Sequence, residues 1–208
     1  MKKMLRNVMV AGMMLGPIQE GISSQFNSSE HKKETIEMMV DDHNAIINEP
    51  IENIQKKYGL TKAIEVITHH TLIEINKKRA AVKANKLVSK PIFQKVAQGY
   101  ADFLGENFDR YFDINGKILR DPHVQYNLDG TTWNVFDRLH NQGYKNYKYT
   151  GEIISYRHLT IKSIIEGRMK SLSHKENMLD NKYTQIGIGF SFENSICVVN
   201  LIRPKDIK

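Results

Sequence analysis

Cysteine is almost missing from this chain of 208 residues; Cys197 stands alone. No intramolecular disulfide and no cysteine-built zinc cluster can form, so the core must hold by packing. Cys197 sits in the apolar run Ile196-Cys197-Val198-Val199, where an inert buried thiol is expected. Long hydrophobic runs are lacking too. The apolar stretch Val8 to Leu15 is far shorter than the about 20 residues that span a bilayer. Basic residues form no run of five or six and interleave little with aromatics, which speaks against nucleic-acid binding. A His-Glu-x-x-His motif is absent, and nothing like Gly-x-Ser-x-Gly surrounds Ser171, so neither a standard metalloprotease nor a serine-hydrolase elbow is supported.

What is present is a soluble globular composition with a formal net charge of +7. Residues 1–60 carry seven Lys/Arg and eight Asp/Glu, leaving 23 against 15 in the remainder. That excess suits an anionic surface, although a lysine-rich solvated face explains it more simply. Lys2, Lys3 and Arg6 precede the apolar run and Gly21-Ile22-Ser23 follows it, the pattern of a secretory signal over residues 1–23. No cysteine follows the run, so the usual lipid-anchor signal is not expected. Residues 24–60 read as a linker and helical extension, with Ile36, Val40 and Ile47 spaced as on a helix. Glu49-Pro50 should interrupt that helix, and Tyr58-Gly59 should end its continuation.

Residues 61–208 form the expected globular domain. Thr61 is expected to cap a helix with Ile64, Ile67, Leu72 and Ile75 on one side. His69 and His70 lie in that helix about 100° apart and are read as structural or exposed. Ser89 is expected to cap a second helix with Pro91 in its first turn, carrying the wide stripe from Ile92 to Leu104. Asn115-Gly116 marks a turn in a long loop. Thr131 or Thr132 is expected to cap a short helix bearing Trp133, Phe136 and Leu139. A strand then passes through Glu152, and Thr160 caps a helix buried through Ile161, Ile164, Ile165 and Met169. Residues 184–192 alternate strictly, with Gly187 and Gly189 on one face inviting close packing, and Ile196 to Ile202 returns as the next strand. Helices flanking an antiparallel sheet give an α+β sandwich.

Two histidines and a glutamate, His123, Glu152 and His174, stand in separated segments near turn residues, and a polar trio of this kind points to a site. Two neutral imidazoles and a carboxylate can hold Zn²⁺ with an open fourth position, or act without metal as a base and its orienter.

The order Pro-His, Asp-Gly-Thr-Thr, Asp-Arg-Leu, Gly-Tyr, Gly-Glu, Ser-x-x-His-Lys-Glu-Asn-Met-Leu and Tyr-Thr-x-Ile-Gly-Ile-Gly resembles bacterial CAP (SCP/PR-1-like) domains over roughly residues 65 to 202. Asn76-x-x-Arg79 resembles the first-helix motif of that family, whereas Gly105-Glu106-Asn107 copies its Gly-Glu-Asn ahead of His123 and is set aside. The resemblance implies a three-layer α-β-α sandwich with a cleft of two histidines and acidic residues that in several members binds a divalent cation. It assigns His123 as the first histidine, Glu152 as the acid, His174 as the second histidine, and Ser171 as the serine three residues before it. Glu166 or Glu176 would replace a second acid only by geometry. Arg168 stands where the family usually has tryptophan and must snorkel or find an acid; Ile153 replaces the asparagine of Gly-Glu-Asn.

Two functions follow from the resemblance. The preferred one is an extracellular or cell-surface binding module whose cleft holds a divalent cation such as zinc, a lipid- or sterol-like ligand, or a host or cell-wall component. The other is a metal-assisted peptidase or esterase using His123, Glu152 and His174, with Ser171 nearby and no confident catalytic residue.

Overall fold

The computed structural model describes residues 43–205. The expected signal segment over 1–23, the linker and the helical spacing at Ile36 and Val40 lie outside the described residues.

Two short helices, α1 (His43–Asn48) and α2 (Ile51–Tyr58), are separated at Pro50 as the Glu49-Pro50 pair requires. They bury Ile46, Ile47, Ile51 and Ile54. Helix α3 (Leu60–Ala81) follows directly, entered through Gly59 at φ 74°. That corrects the expected start at Thr61, which lies inside the helix and makes no cap; the left-handed turn at Gly59 does the work of redirecting the chain. Strand β1 (Val88–Ser89) was not legible in the sequence, and Ser89 belongs to it rather than capping the next helix. Helix α4 (Pro91–Glu106) has Pro91 in its first turn, Lys90 as its extended N-cap, and Phe93, Val96, Ala97, Tyr100, Ala101 and Leu104 buried. A short helix α5 (Phe108–Tyr111) leads into the long loop, where Gly116 turns at φ 83°.

Strands β2 (Gln125–Tyr126) and β3 (Thr132–Trp133) pair as a small antiparallel ribbon. Thr132 and Trp133 are therefore strand, not helix. Helix α6 (Val135–Asn141) starts later, capped by Asn134, whose side chain accepts from the Phe136 and Asp137 amides while Asp137 reaches back to the Asn134 amide. Strand β4 (Tyr147–Ser155) carries Glu152. Thr160 caps α7 (Ile161–Lys170) through the Ser163 amide, as expected. Helix α8 (Leu172–Leu179), strand β5 (Gln185–Ser191), a turn of 3-10 helix (Glu193–Ser195) and strand β6 (Ile196–Pro204) complete the described residues.

The main sheet runs β1-β5-β6-β4, antiparallel except for β1, which is parallel to β5. One layer, α4 and α6, packs on the face bearing Ile154, Val198 and Ile202. A Cβ at Gly187 or Gly189 would collide with the Phe93 or Ala97 carbonyl, so these two glycines are what lets α4 lie against β5. Because β1 covers only Gln185 and Ile186, the rest of the β5 edge is paired by side chains of α4. Gln94 exchanges hydrogen bonds with the Ile188 backbone, and Gln98 with the Phe190 backbone at 2.9 and 3.1 Å. Two glutamines thus do what a neighbouring strand would do. Helices α3, α7 and α8 form the other layer, giving the α+β three-layer sandwich with a mostly antiparallel sheet. No helix among the described residues is long and apolar enough to cross a membrane.

Arg79, fully buried, ties this second layer together. Its guanidinium donates to the carbonyls of Asn85, Met178, Asp180 and Tyr183, satisfying the C-terminal end of α8. Asn76 exchanges hydrogen bonds with the Leu87 backbone, so Asn76-x-x-Arg79 is a loop-fastening motif. Cys197 is buried as expected, and burial pushes its thiol pKa up to about 12.

Candidate functional site

Four separated segments meet beside the edge strand β4. The loop before β2 supplies His123, which its own backbone N–H fixes to the Asp121 carboxylate at 2.9 Å. The Tyr100 hydroxyl, from α4, donates to the Pro122 carbonyl at 2.6 Å and holds that loop down. Strand β4 supplies Glu152, α6 supplies Arg138, and α8 supplies His174. Gly151 precedes Glu152 because a Cβ there would meet the Tyr183 hydroxyl and ring. The sequence trio therefore converges: His123 Nδ1 is 3.2 Å from Glu152 Oε1, and the His123 and His174 ring centroids are 6.5 Å apart at 42°.

Arg138 is the member of this cluster that motif reading passed over. It stood in plain sight in Asp-Arg-Leu, one of the motifs that carry the resemblance, but no role was assigned to the arginine. Its side chain is buried and forms an ion pair with Glu152 Oε2. It also donates to the Trp133 carbonyl at 3.1 Å, and its guanidinium lies 3.5 Å over the Tyr100 ring. Its Nε is buried without a partner. Glu152 thus has both oxygens engaged, one by a guanidinium and one by an imidazole.

Arg168 also departs from expectation. It stays half-buried and reaches a histidine rather than an acid: its Nη1 stands 3.4 Å from His174 Nδ1. A guanidinium can only donate, so His174 Nδ1 accepts and the ring proton sits on Nε2. On His123 the reverse holds, since Nδ1 donates to the Glu152 carboxylate and leaves Nε2 as an acceptor. Burial, then the Arg168 charge, then the proximity of His123, hold the His174 pKa below its ordinary value, keeping that ring neutral.

The three-ligand zinc set does not fit this arrangement. Glu152 is committed to Arg138 and His123, the Nδ1 of His174 is committed to Arg168, and two guanidinium charges stand beside the cleft. No group of three or more His, Cys, Asp or Glu among the described residues is placed to hold a metal. Ser171 is not drawn in either: its hydroxyl lies 3.4 Å from that of Ser173. Glu166 pairs with Lys162 at 4.0 Å on the exposed side of α7, and Glu176 is exposed on α8. Arg138 also lines a pocket of about 180 Å³, together with Lys95, Gly99, Tyr100, Trp133 and Gln142 among others.

The profile of the Cysteine-rich secretory protein family, CAP, matches residues 72–201, more than half of the chain. The chain is also similar to solved structures. One is an extracellular protein containing an SCP domain from Bacillus anthracis, 21% identical, with 68% of this chain and 42% of that chain covered at a TM-score of 0.57. A second is an outer surface protein from Borrelia burgdorferi, 25% identical, with 67% and 93% covered at a TM-score of 0.52. A third is a cysteine-rich secretory protein from Staphylococcus aureus, 13% identical, with 69% and 40% covered at a TM-score of 0.51. The chain spans about two fifths of the length of the Bacillus and Staphylococcus proteins. Curated protein sequences give no match. The order of motifs, the sandwich, the converging trio and the matched profile agree, and the chain belongs to the CAP, or cysteine-rich secretory protein, family.

Proposed function

We propose that this CAP-domain protein is an exported binding module, extracellular or at the cell surface, whose cleft takes a small polar ligand such as part of a host or cell-wall component. The extracellular and outer-surface relatives support the location. The carrying observation is the meeting of the two rings, centroids 6.5 Å apart, with the His123 Nδ1 on Glu152 and the His174 Nδ1 on Arg168; in the neutral rings this leaves His123 Nε2 as an acceptor and His174 Nε2 as a donor. A hydroxyl or amide seated between them satisfies both. The adjoining pocket supports the same chemistry, because Lys95, Gln125, Asn141 and Gln142 line it beside Trp133. At about 180 Å³ it is smaller than the roughly 300–1,000 Å³ of pockets for drug-sized ligands, which speaks for a ligand smaller than a sterol or acyl chain.

Trp133 is the single tryptophan of the chain, so its fluorescence reports on this pocket. N-acetylglucosamine, palmitate and zinc serve as probes. A saturable change with the sugar, weakened in both His174→Ala and Gln142→Ala, is the expected result. Saturation by palmitate alone would transfer the reading to a lipid ligand. Calorimetric zinc binding lost in both His123→Ala and His174→Ala would restore the metal reading, with the cation held by the two rings.

A further inference from the structure

A second histidine cluster lies outside the cleft. His70, on α3, is fully buried, and its ring stacks on that of His43 from α1 with centroids 4.9 Å apart. The two Nδ1 atoms are 2.6 Å apart, and His43 Nε2 lies 2.6 Å from Glu74 Oε1. Glu74 in turn meets Lys77 at 2.9 Å, and His69 stands edge-on to His70 at 5.3 Å. His70 Nε2 is buried with no partner.

We propose that the His43–His70–Glu74 relay is an acid-released latch holding the α1–α2 arm on the CAP domain. One proton fits between the two Nδ1 atoms; two do not. In the neutral pair His43 donates from Nε2 to Glu74, and a single N–H joins the Nδ1 atoms. A first added proton leaves that bond in place but puts an N–H on the buried, partnerless Nε2 of His70. A second sets two N–H groups head to head across 2.6 Å, and the contact must open.

The surroundings oppose protonation. His70 is pushed down to about 4 by burial first, then by His43, His69 and Lys77, with Glu74 acting the other way. The other helices on α3 add no charge that acts on it: on α2 Glu52 pairs with Lys56, on α7 Lys162 pairs with Glu166 and Arg168 faces His174, and Lys175 and Glu176 are exposed on α8. A lowered histidine pKa contributes stability that is complete above the ordinary value of 6.5 and is lost as pH falls toward 4. Release would uncover Ile46, Ile47, Ile51 and Ile54 and part the Ile51 amide from the Leu159 carbonyl, 2.8 Å away.

Hydrogen exchange of the full chain, corrected for intrinsic rates, tests the latch. Amides of residues 43–59 should lose protection about tenfold or more between about pH 7.5 and pH 4.5. In both His70→Gln and His43→Gln that pH dependence should disappear, while His174→Ala should retain it. His43, in the first turn of α1 as described, is partly exposed, so its variant stays informative if His70→Gln fails to fold. Protection independent of pH in the natural chain, or an unchanged midpoint in His43→Gln, overturns the proposal.

Discussion

Arg138 and Glu152 form a buried ion pair in which the guanidinium, stacked 3.5 Å over Tyr100, holds the carboxylate oxygen that His123 does not. Their side chains are 5% and 4% exposed, so neither charge can be answered by water if the other is removed. The pair fixes Glu152 as a positioning group and so determines which nitrogen His123 presents to the cleft.

Removing one partner should therefore cost more than removing both. Arg138→Met is expected to destabilise the protein by about 3–5 kcal/mol because it strands the Glu152 carboxylate. The double variant Arg138→Met/Glu152→Met should recover much of that loss. Urea denaturation followed by circular dichroism measures all three proteins.

Arg79 answers four backbone carbonyls from a fully buried position. Arg79→Met should cost on the order of 3 kcal/mol, since orphaned buried acceptors carry their whole desolvation penalty. The loss should be accompanied by faster hydrogen exchange at the C-terminal end of α8, read by mass spectrometry.

Gly187→Ala and Gly189→Ala each thrust a methyl group at the α4 backbone. Neither neighbour is a flexible side-chain tip, so each should destabilise by about 1–3 kcal/mol through overpacking. Gly99→Ala, in the interior of α4 where a Cβ meets nothing, is the control and should raise the thermal midpoint, because alanine favours a helix by up to about 1 kcal/mol over glycine.

His174 should titrate below an ordinary histidine, and replacing Arg168 with Met should raise its pKa by removing a neighbouring cation. The folded state binds fewer protons here than the unfolded chain. The associated stability is thus complete above the ordinary pKa of 6.5 and lost as pH falls below it. NMR titration of the ring protons in both proteins checks the direction.

Much of the architecture was readable from pattern alone. The stripe from Phe93 to Leu104, the cap at Thr160, the break at Pro50 and the alternation through Gly187 and Gly189 all rest on local periodicity or a single backbone preference, and each appears in the fold. Strand β1 and the β2–β3 ribbon did not announce themselves, because two residues are too few to display a period. Trp133 was misplaced onto a helix for the same reason, as the true cap, Asn134, lies just beyond it.

The chain order of chemistry-bearing residues by itself determined the family and named His123, Glu152 and His174 as companions, since motif order survives without any knowledge of distance. Only the tertiary structure decided what those residues present to a ligand. That depends on Arg138 and Arg168 arriving from α6 and α7 to claim one carboxylate oxygen and one ring nitrogen. Hydrogen-bond polarity is set by partners distant along the chain, and spacing along the chain carries no record of them.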